Sequence, residues 1–194
     1  MIFPRKRVPE DPAKEKAAEL LVTPTALADL TMADARAVVN HMRPRRFRAG
    51  TVFIKEGEVT HSNYMMLILE GEVRVEKEVS SMEDSLVMSI IGPGSLIGEM
   101  GILDGAPRSA TCTATTNVMV AELTREALQE LIKGHAPVAA RLMLAVSKRL
   151  SDRLREANRK IKTLTGLSRA LQQELDAAHG SSPRRKSAGK LPGG

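Results

Sequence analysis

The chain has 194 residues, 42% of them hydrophobic, which allows one core with extensions or two small domains. Its net charge of +6 is local: Arg184, Arg185, Lys186 and Lys190 lie in a C-terminal stretch without acids, and without those four the charge is +2, so a general basic surface for nucleic acid is not indicated. A single cysteine, Cys112, excludes an intrachain disulfide and fits a reducing compartment, and no apolar run approaches the roughly 20 residues that span a bilayer. Residues 1–12, with three prolines, read as an arm, and Met1-Ile2-Phe3-Pro4-Arg5-Lys6-Arg7 lacks the apolar core and cleavage site of a signal peptide. A cytoplasmic protein is therefore expected. Residues 13–22 carry helix formers, and Thr31-Met32-Ala33-Asp34 resembles a capping box that starts a helix running to about Met42, before Pro44.

From Arg46 the period becomes that of strands. Phe47 to Glu58 reads as strand, turn, strand, turn; Tyr64 to Leu69 is a continuous apolar run; Val73-Arg74-Val75-Glu76 alternates. Leu86–Ile91, Thr111–Thr115 and Val118–Leu123 complete a set of short strands with frequent turn signals, which argues for a sandwich or barrel. Aromatics make up 2% of the chain, with no Trp, so base stacking on a protein ring is not expected to dominate recognition; the ten methionines are expected to fill core volume instead. Cys112, within the strand after Arg108, is expected to be a buried, inert thiol.

Residues 97–114 are the most informative stretch. Gly98-Glu99-Met100-Gly101 makes a glycine-freed turn opening a segment too short for more than one helical turn. Arg108 follows nine residues after Glu99 and leads into the alternating run Ser109-Ala110-Thr111-Cys112-Thr113-Ala114. Glycines let the backbone approach a ligand, and a helix start directs unpaired N–H groups at an anion. Arg108 and Ser109 add charge-assisted and hydroxyl donors for phosphate oxygens, while an ionised Glu99 is acceptor-only and suits a ribose hydroxyl. Together they can hold a sugar phosphate. Read without that context, the glycines could serve only a turn, and Arg108 could pair Glu99 or Asp104 on the surface.

Gly98-Glu99-x-Gly101-Ile102, five residues, then Arg108-Ser109-Ala110 resembles the phosphate-binding cassette of cyclic nucleotide-binding domains. The resemblance implies an eight-stranded jelly-roll-like barrel over about residues 30–157, mainly β with flanking helices. It implies Glu99 on the ribose 2′-hydroxyl, Arg108 and Ser109 on the cyclic phosphate, and amides near Met100 closing the cradle. It also implies a purine-contacting helix position near Arg153, where a planar donor fork reads guanine as well as adenine acceptors; a solvated surface residue is the alternative. The ligand expected is cAMP, with cGMP and cyclic di-GMP open. The segment Glu58-Val59-Thr60-His61-Ser62-Asn63 departs from the family by being about two residues longer and lacking glycine, and His61 reads as a loop residue.

Thr124 offers an N-cap for a helix to about Lys133, ended by Gly134, and Pro137 suits the first turn of the next. Met143, Ser147, Leu150, Leu154, Ala157, Ile161, Leu164, Ser168, Leu171, Leu175 and Ala178 then recur at steps of three and four. That spacing predicts a coiled coil and a homodimer through 138–178, with 158–179 as an extension beyond the sensor domain. Residues 1–29 are expected as arm and helix, and 180–194 as a disordered basic tail. The four histidines show no metal-ligand spacing, and no catalytic constellation appears. Only about 35 residues follow Asn158, too few for a helix-turn-helix module. The reading is a free-standing, non-catalytic sensor that needs no cofactor, acting through an unidentified protein effector, with neither a membrane nor nucleic acid as partner. A nucleic-acid regulator using Arg43, Arg45, Arg46, Arg48 and the tail is the rival, with a ligand-silent scaffold behind it.

Overall fold

The computed structural model describes residues 11–60, 63–78 and 85–180. Residues 1–10 of the arm, His61 and the basic tail beyond residue 180 lie outside them. Two compact units divide at Arg149 and Leu150.

In the first unit, helix α1 (Pro12–Leu21) starts at Asp11, whose carboxylate accepts from Ala13 N–H at 3.0 Å, with proline in the first turn. Helix α2 (Met32–Val39) starts at the expected capping box: Asp34 N–H donates to Thr31 Oγ1 at 3.2 Å, and Thr31 N–H donates back to Asp34 Oδ2 at 3.4 Å.

Eight strands follow: β1 (Arg43–Phe47), β2 (Val52–Ile54), β3 (Tyr64–Glu70), β4 (Val73–Glu78), β5 (Ser85–Ile91), β6 (Leu96–Ile97), β7 (Thr111–Ala114) and β8 (Val118–Thr124). They form two four-stranded antiparallel sheets, ordered β1-β8-β3-β6 and β2-β7-β4-β5, the eight-stranded, jelly-roll-like architecture with flanking helices that was expected. β1 begins earlier than the periodicity indicates and contains Pro44, which is tolerated because β1 is an edge strand. β6 is too short for any periodicity to reveal.

Between the sheets lies a core of Ile54, Met66, Ile68, Val73, Ile97, Cys112, Ala114, Val118 and Val120. Met65, Leu67 and Leu69 are also buried, since α1 packs on β3. Burial on both faces accounts for the continuous apolar run of β3. Met66 is the one methionine of the core between the sheets, and Phe47, Phe53 and Tyr64 pack against that core partly buried.

Helix α3 (Glu99–Asp104) runs six residues, about 1.7 turns and so longer than the single turn expected. Helix α4 (Arg125–Gly134) is capped by Thr124, whose hydroxyl accepts from Ala127 N–H at 3.2 Å. Helix α5 (Ala136–Gly180) has 45 residues. Within the first unit its opening segment buries Ala139, Leu142, Ala145 and Val146. There Arg141 grips Asp34 through Nε–Oδ2 at 2.9 Å and Nη2–Oδ1 at 2.6 Å, Lys148 meets Asp29 at 2.7 Å, and Arg149 donates to the carbonyls of Thr25 and Ala26. In the second unit residues 151–177 are exposed, and Leu154, Ile161, Leu164, Leu167, Leu171 and Leu175 show 52–64% of their surface.

Candidate functional site

Strand β6 ends at Gly98, which takes a left-handed conformation (φ 72°) as the N-cap of α3. A β-carbon there would lie 2.5 Å from Arg108 Nη1 and 3.0 Å from the Tyr64 carbonyl oxygen. Glycine is therefore required twice, for the backbone angle and for the space the guanidinium occupies.

Arg108 is 6% exposed. Its Nη1 donates to Tyr64 O at 3.2 Å and Gly98 O at 3.1 Å, and its Nη2 donates to Tyr64 O at 3.2 Å. The guanidinium carbon stands 4.1 Å from the centre of the Tyr64 ring, a cation–π distance. The main chain is held as firmly: Arg108 N–H donates to Glu58 O at 3.0 Å, and Gly57 N–H donates to Arg108 O at 2.9 Å. The turn after β2 thus fixes where the arginine begins, and β3 fixes where it ends.

Glu99, the first residue of α3, is 2% exposed, and Gly101 is buried beside it. Met100 is 45% exposed, and exposed Ser109 directs its hydroxyl to the Met100 sulfur at 3.9 Å, a weak contact. The structure therefore gathers Gly98, Glu99, Met100, Gly101, Arg108 and Ser109 around the start of α3. Arg153 belongs to the second unit, where it is exposed on α5. Cys112 lies buried in β7, and burial pushes its thiol up to about 12, against the opposing influence of Arg108. A thiol so protonated is a poor nucleophile or metal ligand, matching its reading as core. Among the described residues, no group of three His, Cys, Asp or Glu side chains could hold a metal ion, and no helix is long and apolar enough to cross a membrane.

Residues 44–135 match the family profile of the cyclic nucleotide-binding domain. This segment belongs to that family. The cyclic nucleotide-binding domain contains all eight strands but for the first residue of β1, together with α3 and α4. The chain is 28% identical over 129 residues to the CRP-like cAMP-activated global transcriptional regulator of Mycobacterium tuberculosis, covering 66% of this chain and 53% of that protein. It is 32% identical over 130 residues to a cAMP-dependent protein kinase regulatory subunit of Colletotrichum orbiculare, covering 67% of this chain and 30% of that one. Both relatives are regulatory proteins by name, and the chain spans about half the length of the first and less of the second. A cyclic nucleotide-binding domain from Methylobacillus flagellatus superposes with a TM-score of 0.66 at 28% identity, covering 76% of this chain and 82% of that one.

Two features of the domain escape a reading by motif. Tyr64 supplies both a carbonyl and a ring to Arg108 from 44 residues away, and only the pairing of β3 within its sheet brings it there. Arg125 reaches back from α4 to α3, with Nη2 donating to Ile102 O at 3.1 Å and Leu103 O at 3.2 Å. No local spacing signals either contact.

Proposed function

We propose that the chain is a non-catalytic cyclic nucleotide sensor with cAMP as its ligand, bound at residues 98–109 within a domain spanning about 30–157. The observation that carries this reading is Arg108, a buried cation held by neutral carbonyls at the mouth of a short helix whose first residue is the buried Glu99. Carbonyl partners orient a guanidinium without neutralising it, so its charge stays available to a phosphate. In this reading Arg108 and Ser109 take the cyclic phosphate, with the amides near Met100 closing the cradle. Glu99 accepts from the ribose 2′-hydroxyl, Gly98 and Gly101 let the backbone approach, and Arg153 contributes to purine choice. The names of the mycobacterial and fungal relatives, both tied to cAMP, support that nucleotide as the first to test, with cGMP and cyclic di-GMP beside it.

The output in this reading is a homodimer. The exposed stripe from Leu154 to Leu175 repeats at coiled-coil spacing, and a long single helix with a bare apolar stripe calls for a partner. A second copy joined through 138–178 covers it, with 158–179 extending past the domain toward a protein effector. Ligand shifts the dimer between helix arrangements by its differential affinity for them. Calorimetric titration with cAMP, cGMP and cyclic di-GMP at fixed salt tests the sensor reading, and light scattering of the full chain tests the dimer. Saturable cAMP binding by a dimer is the expected result; binding to none of the three, or a monomer at high micromolar concentration, contradicts it.

A further inference from the structure

We propose that Arg125 is the positioning residue that couples the cassette helix α3 to helix α4, an inference that rests on the nucleotide-sensing reading. Arginines hold both ends of α3. Arg108 takes the carbonyl of its N-cap Gly98, and Arg125 takes the carbonyls of Ile102 and Leu103 in its last turn. Those carbonyls are among the four that a helix leaves without intrahelical partners, and a cation beside them also complements the helix dipole. The two arginines return to adjacent residues: Arg108 donates to Tyr64 O, and the Arg125 backbone N–H donates to Asn63 O at 2.8 Å.

The C-terminal end of α3 lies in contact distance of both partners. Gly105, the left-handed C-cap of α3 (φ 68°), would place a β-carbon 3.6 Å from both Arg125 Nη2 and Asn63 Oδ1. Arg125 Nε lies buried without a hydrogen-bond partner, a cost that the paired Nη2 contacts offset. Because Arg125 is also the first residue of α4, one side chain ties the placement of the cassette helix to the start of the next helix. When a ligand draws on Glu99 and Arg108 at one end of α3, displacement at the other end loads Arg125 and reaches α4. Two sites coupled through one contact lose that coupling when the contact is removed, while the binding site itself stays intact.

A fluorescent label on α4 tests this. Ile132→Cys places a thiol at an exposed position, while the native Cys112 is buried. In the full chain with Arg125 intact, cAMP is expected to change the label signal saturably. Arg125→Ala is expected to cut that amplitude about fivefold while the calorimetric Kd stays within about threefold, and Arg125→Lys to restore about half of it. Full amplitude in Arg125→Ala, or a loss of binding in parallel with amplitude, overturns the proposal. If Arg125→Ala does not fold, Arg125→Gln decides by the same two readings. A parent protein that binds cAMP without moving the label refutes the coupling alone, whereas one that binds no cyclic nucleotide refutes the sensor reading beneath it.

Discussion

Asp34, Glu99 and Arg108 are the charged side chains buried almost completely among the described residues, and Asp34 and Arg108 are satisfied in opposite ways. Asp34, 3% exposed at the start of α2, meets a countercharge: Arg141 grips it through two nitrogens, and Thr31 completes the cap. The Arg141 hydrogen bond, against desolvation, brings its carboxyl down to about 2. Arg108 is buried to a similar degree, but its guanidinium bonds are to neutral carbonyls and an aromatic face. A buried ion with its countercharge in place is closed electrostatically and serves architecture. A buried cation oriented by carbonyls keeps its field, and that field suits an anion from outside. The first region holds the opening of α5 against α2; the second is the candidate phosphate site.

Substitutions that separate the two roles break or sharpen this contrast. After removal of Arg108 itself, the largest effect is expected from Gly98→Ala, whose β-carbon meets Arg108 Nη1. Displacing the guanidinium removes a charge-assisted contact, and cAMP affinity measured by calorimetry should fall about a hundredfold. The left-handed backbone adds a stability loss of about 1 kcal/mol. Next, Asp34→Ala should cost about 2 kcal/mol in urea unfolding, by loss of a cap and two charge-assisted bonds, yet leave cAMP affinity within about twofold. A binding loss as large as that of Gly98→Ala would erase the distinction between the regions.

The same aspartate sets an acid limb. Its folded value of about 2 lies below the ordinary 3.8, so its contribution is complete above about pH 4 and is lost as pH falls toward 2. Asp34→Asn should flatten that part of the stability profile, read by thermal unfolding at stepped pH. The smallest effect is expected at Arg153. Arg153→Ala should change the ratio of cAMP to cGMP affinity by more than about twofold, since its fork reads acceptors that differ between purines. Equal changes for both nucleotides would make Arg153 a surface charge only.

Local chemistry explains which parts of the molecule could be read before folding. The Thr31–Asp34 cap, the Thr124 cap, the apolar run of β3 and the stepped leucines of α5 are all signals carried within a few residues, and each lies where the spacing indicates. Six of the seven candidate site residues gather for the same reason, since they lie within twelve positions of one another. What escaped depends on distant pairing. β1 lies beside β8 across more than 70 residues, which makes Pro44 an edge residue. Asp34 was legible as a cap, but its partner Arg141 lies 107 residues away. Tyr64 and Arg125 escaped alike, because their functional atoms are backbone carbonyls or contacts to them, which no residue type announces.

The central claim is that the charge of Arg108 is reserved for a cyclic phosphate. Its most direct test is cAMP titration by calorimetry of the full chain and of Arg108→Ala, each checked for an intact thermal unfolding transition. Saturable binding to the parent chain and none measurable to folded Arg108→Ala is the predicted result. Equal cAMP affinity of the two proteins would contradict the account.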